Sequence, residues 1–596
     1  MSARRSPGDT ARWLLGVGVL AFIAAAYWPV ADAGFLWDDK STFHDAAWLR
    51  QGQEWLHYMR SGIVGWINYF RPLVVALFTL EVRAFDVTPA PMHLVSLAMH
   101  LFNTLLVGLL ALQLLRRGGL ESGARRHCVV AMLFYGLHPA LIEPIVWISA
   151  QGELVLTGLT LLALLFNCSA IRPVPRALAV GLCFLCAALT KESAIALPPL
   201  LLVLDFVLID AGARGQGLAA GVRAILRRQR WTYAAVLAAG LLYLALRYWA
   251  LGYLLRPAVE SHLSLFARMQ AASLTYLEYW RICLWPMWGM GPLHPVDAQR
   301  FLGVSAGSLA VDALALAIVA LALQRFFTRR PFGVPMVAVS VALFPVLNAL
   351  PIAFVESLYH ERYAMTAIAV ACALAPYSVA EWRRDRKRAP GPILAAILLL
   401  AAVWLGMAVV NIRATVPLWS DEVALWQWAL RQNPGSVTAR DHLLSTYIER
   451  NDHAQARALA DSLFQENVRC ANCLLNIAYL ALSEQNGSRA AAALKKLRDS
   501  GAPAFDPHLL HGYTLAMGEL LELQGKPDDA ADAYRDAIST DPLDPAPHMK
   551  LALLLARAGN LSEARRAADT ALSLSAPDQR QEFLKAFGEY LPGHVR

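Results

Sequence analysis

The sequence predicts an all-α protein in two parts: a polytopic membrane helix bundle of about eleven spans, then a C-terminal solenoid of short helical repeats. Three observations carry this. The chain is 57% hydrophobic and 16% charged, with a mean hydropathy of +0.42. Apolar stretches of about 20 residues recur in it, far outside the soluble range. Arginine and lysine gather in six clusters between those stretches. After about Asn411 the apolar runs shorten to helical periodicity, and Asp, Glu, Gln and Asn return.

The clusters are Arg4/Arg5/Arg12, Arg116/Arg117/Arg125/Arg126, Arg172/Arg176, Arg223 to Arg230, Arg325/Arg329/Arg330 and Arg383 to Arg388. Cytoplasmic loops retain positive charge, so all six are expected on one face. The formal charge of +8 is thereby explained by orientation, and nucleic acid is not expected as a partner. The first run, Trp13 to Val30, is too long for a signal-peptide core and reads as an uncleaved anchor, although Ala31-Asp32-Ala33 imitates a cleavage site. From an inside start, crossings are expected near 13–31, 92–115, 128–147, 151–169, 177–191, 194–210, 232–251, 303–324, 334–355, 361–380 and 391–412. Residues 1–412 then form the membrane domain, with 32–91 as the first outer loop. Arg71 to Phe85 and Leu265 to Trp288 carry charge and read as interfacial helices. Two extra crossings that cancel are the alternative.

This topology gathers the polar motifs on the face opposite the basic clusters: Asp38-Asp39, His138-Pro139 with Glu143, Gln151-Gly152-Glu153, Lys191-Glu192, His294-Pro295 and His360-Glu361-Arg362-Tyr363. Ionisable groups at the ends of apolar helices are costly unless paired or hydrated, and so mark a site. A transporter would place them near the midplane of broken helices, with internal repeats; neither is clear.

After a connector at 413–432, helix-length segments at 433–596 alternate with polar turns. Gly525 and Gly559 stand 34 residues apart, each five residues before an alanine, Ala530 and Ala564. That is the tetratricopeptide period, with glycine for the turn and alanine for close helix packing. Weaker copies lie at Asn451 to Ala456 and near Gly487, giving three or four repeats. Such a domain presents a concave surface for polypeptide, or serves as a structural cap or oligomerisation module. Cys470 and Cys473 could form a disulfide in an oxidising compartment; no second pair at zinc spacing accompanies them.

The ordered set Phe35-Leu36-Trp37-Asp38-Asp39, Tyr69-Phe70-Arg71-Pro72-Leu73, His93-Leu94 with His100-Leu101-Phe102-Asn103, His138-Pro139 to Trp147, Lys191-Glu192-Ser193 and Glu361-Arg362-Tyr363, followed by repeats, resembles one family over nearly the whole chain. It resembles the transmembrane and tetratricopeptide-repeat O-mannosyltransferases of the GT-C glycosyltransferase superfamily. The resemblance implies a GT-C type bundle and transfer of a monosaccharide from a polyprenyl- or dolichyl-phosphate carrier to an exported protein, at the non-cytoplasmic face. In a bacterium that is the periplasmic side of the inner membrane.

An acceptor hydroxyl that attacks an anomeric carbon must lose its proton, which calls for a carboxylate base. The family pattern places an essential acid in the first outer loop, here Asp38 first and Asp39 second; the pair could also bind a divalent cation or be a solvated turn. Glu143 matches a second acid of the superfamily. The leaving phosphate needs cations. Arg362 leads by family likeness, with Lys191, Arg71 and Arg281 as further candidates. The bland alternatives pair Arg362 with Glu361 and Lys191 with Glu192. His138, Glu361 and Tyr363 are expected to orient substrate, although a histidine before proline at a helix end is often structural. Competing readings are transfer to a lipid or surface polysaccharide and a noncatalytic membrane scaffold.

Overall fold

The computed structural model describes residues 7–44, 69–120, 123–209, 218–254, 264–296, 301, 303–347, 357–385, 391–466, 470–504, 506–575 and 577–590. Every regular element among them is helical. The bundle comprises α1 (Pro7–Tyr27), α2 (Pro72–Phe85), α3 (Pro89–Arg117), α4 (Ala124–Gly136), α5 (Ile142–Val146), α6 (Gln151–Asn167), α7 (Pro173–Thr190), α8 (Leu197–Ile209), α9 (Leu218–Arg228), α10 (Arg230–Leu251), α11 (Leu265–Leu284), α12 (Ala306–Phe327), α13 (Gly333–Leu343), α14 (Met365–Asp385) and α15 (Gly391–Thr415). Proline opens α2, α3 and α7 at the position where its missing N–H has no helical partner to lose.

Eight described helices are long and apolar enough to cross a membrane, nine if the bent pair α4 and α5 is one span. This is an integral membrane protein. The two halves of that pair meet at 55° where His138-Pro139 interrupts the expected crossing at 128–147, because proline cannot continue the backbone ladder. Among the described residues, two other expected crossings form only helices shorter than a span. The stretch at 194–210 becomes a 3₁₀ turn, Glu192–Ala196, followed by the 13-residue α8. That at 334–355 begins as the 11-residue α13, and its remainder from 348 on lies outside the described residues. Helices α2 and α11 form as expected and are not among the eight.

The 29-residue α3 is the central post, packed by α1, α4, α6 and α14. Helices α10, α12 and α15 leave most of their apolar surface open, including Leu237, Leu241, Leu316 and Leu398. Side chains of that kind on a membrane helix face lipid, where no hydrophobic penalty attaches.

The C-terminal part begins with α16 (Glu422–Gln432). Four antiparallel pairs follow: α17 (Val437–Glu449) with α18 (His453–Gln465), α19 (Ala471–Ser483) with α20 (Gly487–Asp499), α21 (Pro507–Leu523) with α22 (Pro527–Thr540) and α23 (Pro545–Arg557) with α24 (Leu561–Leu574); α25 (Pro577–Tyr590) caps them. Each pair turns through one left-handed residue: Asn451 (φ 56°), Gln485 (φ 58°), Gly525 (φ 73°) and Gly559 (φ 83°). The next amide reaches back to a carbonyl in the last turn in all four, as Asp452 to Tyr447, Asn486 to Ala481, Lys526 to Leu521 and Asn560 to Leu555. This is the Schellman closure that left-handed C′ residues allow. Five residues on, Ala456, Ala490, Ala530 and Ala564 have no exposed surface, so the small side chain sets the close approach of the two helices.

Bundle and repeats share one apolar core that runs from Val19 to Leu520. The join is made by the first outer loop. Trp37 stacks on Trp147 with centroids 4.9 Å apart and meets Trp426 of α16 edge-on at 5.2 Å. Trp426 stacks on His442 of α17 at 4.3 Å. The Trp37 amide donates to Glu422 Oε1 at 3.1 Å, and Lys40 pairs with both Glu422 and Glu449. Farther along, Leu543 packs against the cluster of Phe43, Val74, Val75 and Phe78. The repeats are thus seated on the loop that carries Asp38.

Candidate active site

The chain leaves α1 through a 3₁₀ turn at Trp28–Asp32 and bends sharply at Trp37, whose φ of 52° is left-handed. A bulky residue there costs roughly 1–2 kcal/mol, which stacking and burial of the indole must offset. The bend sends the two following carboxylates in different directions. Asp39 is fully buried. Its Oδ1 accepts from the Ser149 amide at 2.7 Å and the Ser149 hydroxyl at 2.6 Å, and its Oδ2 from the amides of Ile148 at 3.3 Å and Leu36 at 3.5 Å. Burial pushes Asp39 up to about 7, against the pull of those donors. With its oxygens engaged by four donors, Asp39 ties the loop to the start of α6.

Asp38 keeps exposed surface yet is crowded by protein atoms, as a side chain lining a recess would be. Desolvation raises its pKa, and the positive charge of Arg362 partly opposes that rise. The candidate base therefore lies within electrostatic reach of the leading candidate cation.

Arg362 sits in a 3₁₀ turn, Glu361–Ala364, just before α14. Its amide donates to Glu143 Oε2 at 2.9 Å while its guanidinium pairs with Glu143 Oε1. The partner is thus Glu143 in α5, not Glu361. The Glu361 carboxylate instead accepts from the Gly291 amide at 2.9 Å and from His294 Nε2 at 2.8 Å. The guanidinium also lies over Trp147 and Tyr363, 4.7 and 4.6 Å from the ring centroids.

Lys191 pairs with Glu153 rather than with Glu192, and its ammonium lies 4.4 Å from the Tyr363 centroid. Tyr363 is thus flanked by both cations. Glu192 is bridged by Arg71 at 2.9 Å and Arg247 at 3.4 Å, and Arg71 feels the Tyr363 hydroxyl electrostatically from the edge of the cluster.

Arg281 is held apart, by Glu278 at 2.7 Å and the Trp288 carbonyl at 2.8 Å. His138 is used in packing: Nδ1 accepts from the Ala140 amide at 3.3 Å, capping the turn after the helix break, and Nε2 donates to the Cys283 carbonyl at 3.3 Å.

Below Glu153 and Tyr363 the surroundings turn apolar. A cleft between α6, α8, α13 and α14 is walled by Leu156, Leu197, Leu200, Ala342 and Val346, with Glu153, Ser193 and Tyr363 at its polar end. A second cleft shares Leu200 and is lined by Leu110, Leu164, Val203, Leu204, Val334, Ala338, Val370 and Leu374. The polar end of the first cleft, at Glu153 and Tyr363, thus lies beside the two cations, and its walls are apolar. That arrangement suits an amphiphile with an anionic head. Among the described residues the one cluster at metal-ligand spacing is elsewhere, at Asp441, Cys470 and Cys473, whose two sulfurs are joined in a disulfide.

Glu153 and Trp147 stood in the sequence motifs without a site role, and Glu422 drew no notice. Each acquires its place from a partner distant in the chain, 38 residues for Glu153 and 385 for Glu422.

The family model "Tetratricopeptide repeat" matches residues 512–554. The C-terminal helix pairs are tetratricopeptide repeats. No curated relative matches the sequence. Among solved structures, the crystal structure of ArnT from Cupriavidus metallidurans bound to undecaprenyl phosphate is similar over 89% of this chain and 80% of that one, at 15% identity and a TM-score of 0.35. A likeness so loose assigns nothing to this chain.

Proposed function

We propose that this protein is a GT-C type membrane glycosyltransferase that moves a monosaccharide from a polyprenyl-phosphate carrier to an exported protein, at the non-cytoplasmic face. The observation that carries the reading is the cluster in which Lys191 and Arg362 flank Tyr363, with Asp38 within electrostatic reach of Arg362 and Tyr363 itself at the polar end of an apolar cleft. A lipid-phosphate sugar needs such a groove for its tail and cations for its phosphate. The ordered motifs of the sequence point the same way.

In this reading Asp38 takes the proton of the acceptor hydroxyl as the oxygen attacks the anomeric carbon. The bond to the carrier phosphate breaks, and the charge developing on the phosphate oxygen is met by Arg362 and Lys191. Glu143 aims the guanidinium, and Arg71 stands at the rim. The Cys470–Cys473 disulfide fits placement of the repeats in an oxidising compartment such as the periplasm.

The test is sugar transfer by the full-length protein in membranes, with labelled polyprenyl-phosphate hexoses and exported proteins as acceptors. Asp38→Asn is expected to cut transfer about 100-fold or more while donor binding persists. Arg362→Lys, which keeps charge and loses the planar fork, should weaken both donor binding and transfer. Undiminished transfer by Asp38→Asn would rule out the base assignment. Acceptor class is read by intact mass of exported proteins against surface glycans; modification of glycans alone would favour the lipid or polysaccharide acceptor.

A further inference from the structure

The Cys470–Cys473 bond lies outside the cluster around Tyr363, and sugar transfer makes no use of it. It joins the residue that caps α19 to the first turn of the same helix, at a sequence separation of 3. Stabilisation by a cross-link grows with the loop it encloses. This ring encloses almost nothing and ties no second element, so as a staple it is among the weakest a chain can make.

Three features suit exchange instead. Cys470 is half-buried whereas Cys473 is 2% exposed, so an incoming thiolate meets Cys470 first. The Cys473 amide donates to Cys470 Sγ at 3.0 Å, and the free amides of a helix N-terminus favour a thiolate over a thiol. Asp441 of α17, 7% exposed, places a carboxylate oxygen within 4.8 Å of both sulfurs and is held by Asn476 Nδ2 at 2.8 Å.

We propose that Cys470 and Cys473 are a redox-active pair that exchanges with thiols of a polypeptide brought to the repeats. A polypeptide thiolate attacks Cys470 Sγ; the Cys470–Cys473 bond breaks, and Cys473 departs with the electron pair and takes a proton through Asp441. A second thiolate of the same polypeptide attacks its own sulfur in the mixed disulfide, and Cys470 leaves as the thiolate. The polypeptide dithiol becomes a disulfide and the pair gains its two electrons. The same steps in reverse reduce or reshuffle a polypeptide disulfide.

The test uses the full-length protein in detergent without sugar donor, so its outcome is independent of the glycosyltransferase reading. A chain with Cys470→Ser and Cys473→Ser serves as background for the six other cysteines. A reduced dithiol peptide should open both thiols together, counted by maleimide mass tags, and emerge oxidised. Cys473→Ser should accumulate a covalent adduct with the disulfide form of that peptide. Asp441→Asn should slow exchange about tenfold and flatten its pH profile, with the redox equilibrium unmoved. The proposal is overturned if the pair stays closed in every glutathione mixture up to the reduced form alone. It is equally overturned if no adduct forms, or if the background chain loses the cooperative melt of the repeats.

Discussion

At Asp38 and Asp39 the backbone turn of Trp37 gives neighbouring carboxylates different surroundings, one partly exposed within reach of the Arg362 charge and one locked on Ser149. Asn in place of Asp39 would turn two acceptor oxygens into an acceptor and a donor, so Asp39→Asn should destabilise the loop by ~2 kcal/mol. Transfer would fall in proportion to folded protein, unlike the chemical loss expected of Asp38→Asn. Because burial raises the Asp38 pKa, the acid limb of kcat/KM should lie above the ordinary carboxylate range near ~4 and move with substitutions of Arg362. Stability has its own pH signature. His442 is lowered to about 4 by burial, so the stability it contributes is present at neutral pH and is lost as pH falls through ~6.5 toward 4. Asp39, raised to about 7, has the opposite sign, since its folded form binds the proton first. The two oppose each other in a global melt. Comparing His442→Gln with wild type between about pH 7 and pH 4 should therefore expose the difference, read by indole fluorescence of Trp426.

At the scale of elements, Glu422 at the start of α16 accepts from the Trp37 amide, Lys40 and the Thr446 hydroxyl at once. It is a buried joint between loop and repeats. Glu422→Gln should loosen the Trp37 turn and lower transfer about tenfold through misplacement of Asp38, with donor affinity less affected; an equal loss of donor binding would show general damage to the bundle. The repeat turns permit a sharper comparison. Gly559→Ala forces a side chain into a φ of 83° with open space around it, so only backbone strain of ~1 kcal/mol is added. Gln485→Gly at φ 58° removes such strain and should stabilise by a few tenths to ~1 kcal/mol, less the extra entropy of the unfolded glycine. Thermal melts of the full chain check both signs.

At the scale of the molecule, the tryptophan stack and Leu543 seat the repeats on the loop that carries Asp38. Deleting residues 433–596 would remove His442 and Glu449 from that joint. Such a chain should therefore lose transfer whether or not the repeats present the acceptor, and acceptor recognition is better tested by surface substitutions on α21 to α24. Single cysteines placed beside Asp38 and in α24 should label from the same side of the membrane. Labelling from opposite faces would contradict both the seating of the repeats and the proposed function.

The membrane helices and the repeat turns were legible in the chain because their causes are local. Apolar length, a proline at a helix start and a small residue at a fixed offset act within a few positions. The same local logic left the first two repeats as weaker copies, because their left-handed residues are Asn451 and Gln485 in place of glycine. It also drew 128–147 straight, though Pro139 bends that segment by 55°. The cationic residues could be found from sequence, but their partners could not. Neighbours in the chain, Glu361 and Glu192, were the obvious mates for Arg362 and Lys191, and the fold supplied Glu143 and Glu153. A buried charge takes whichever counter-charge the packing of several helices brings within reach, and that sum over distant elements is written in no single stretch of sequence. Composition and periodicity alone determined an all-helical membrane protein with helical repeats. Only the tertiary structure decided that Asp38 lies within electrostatic reach of Arg362, that Asp39 is anchored on Ser149, and that the repeats are seated on Trp37 and Lys40 to either side.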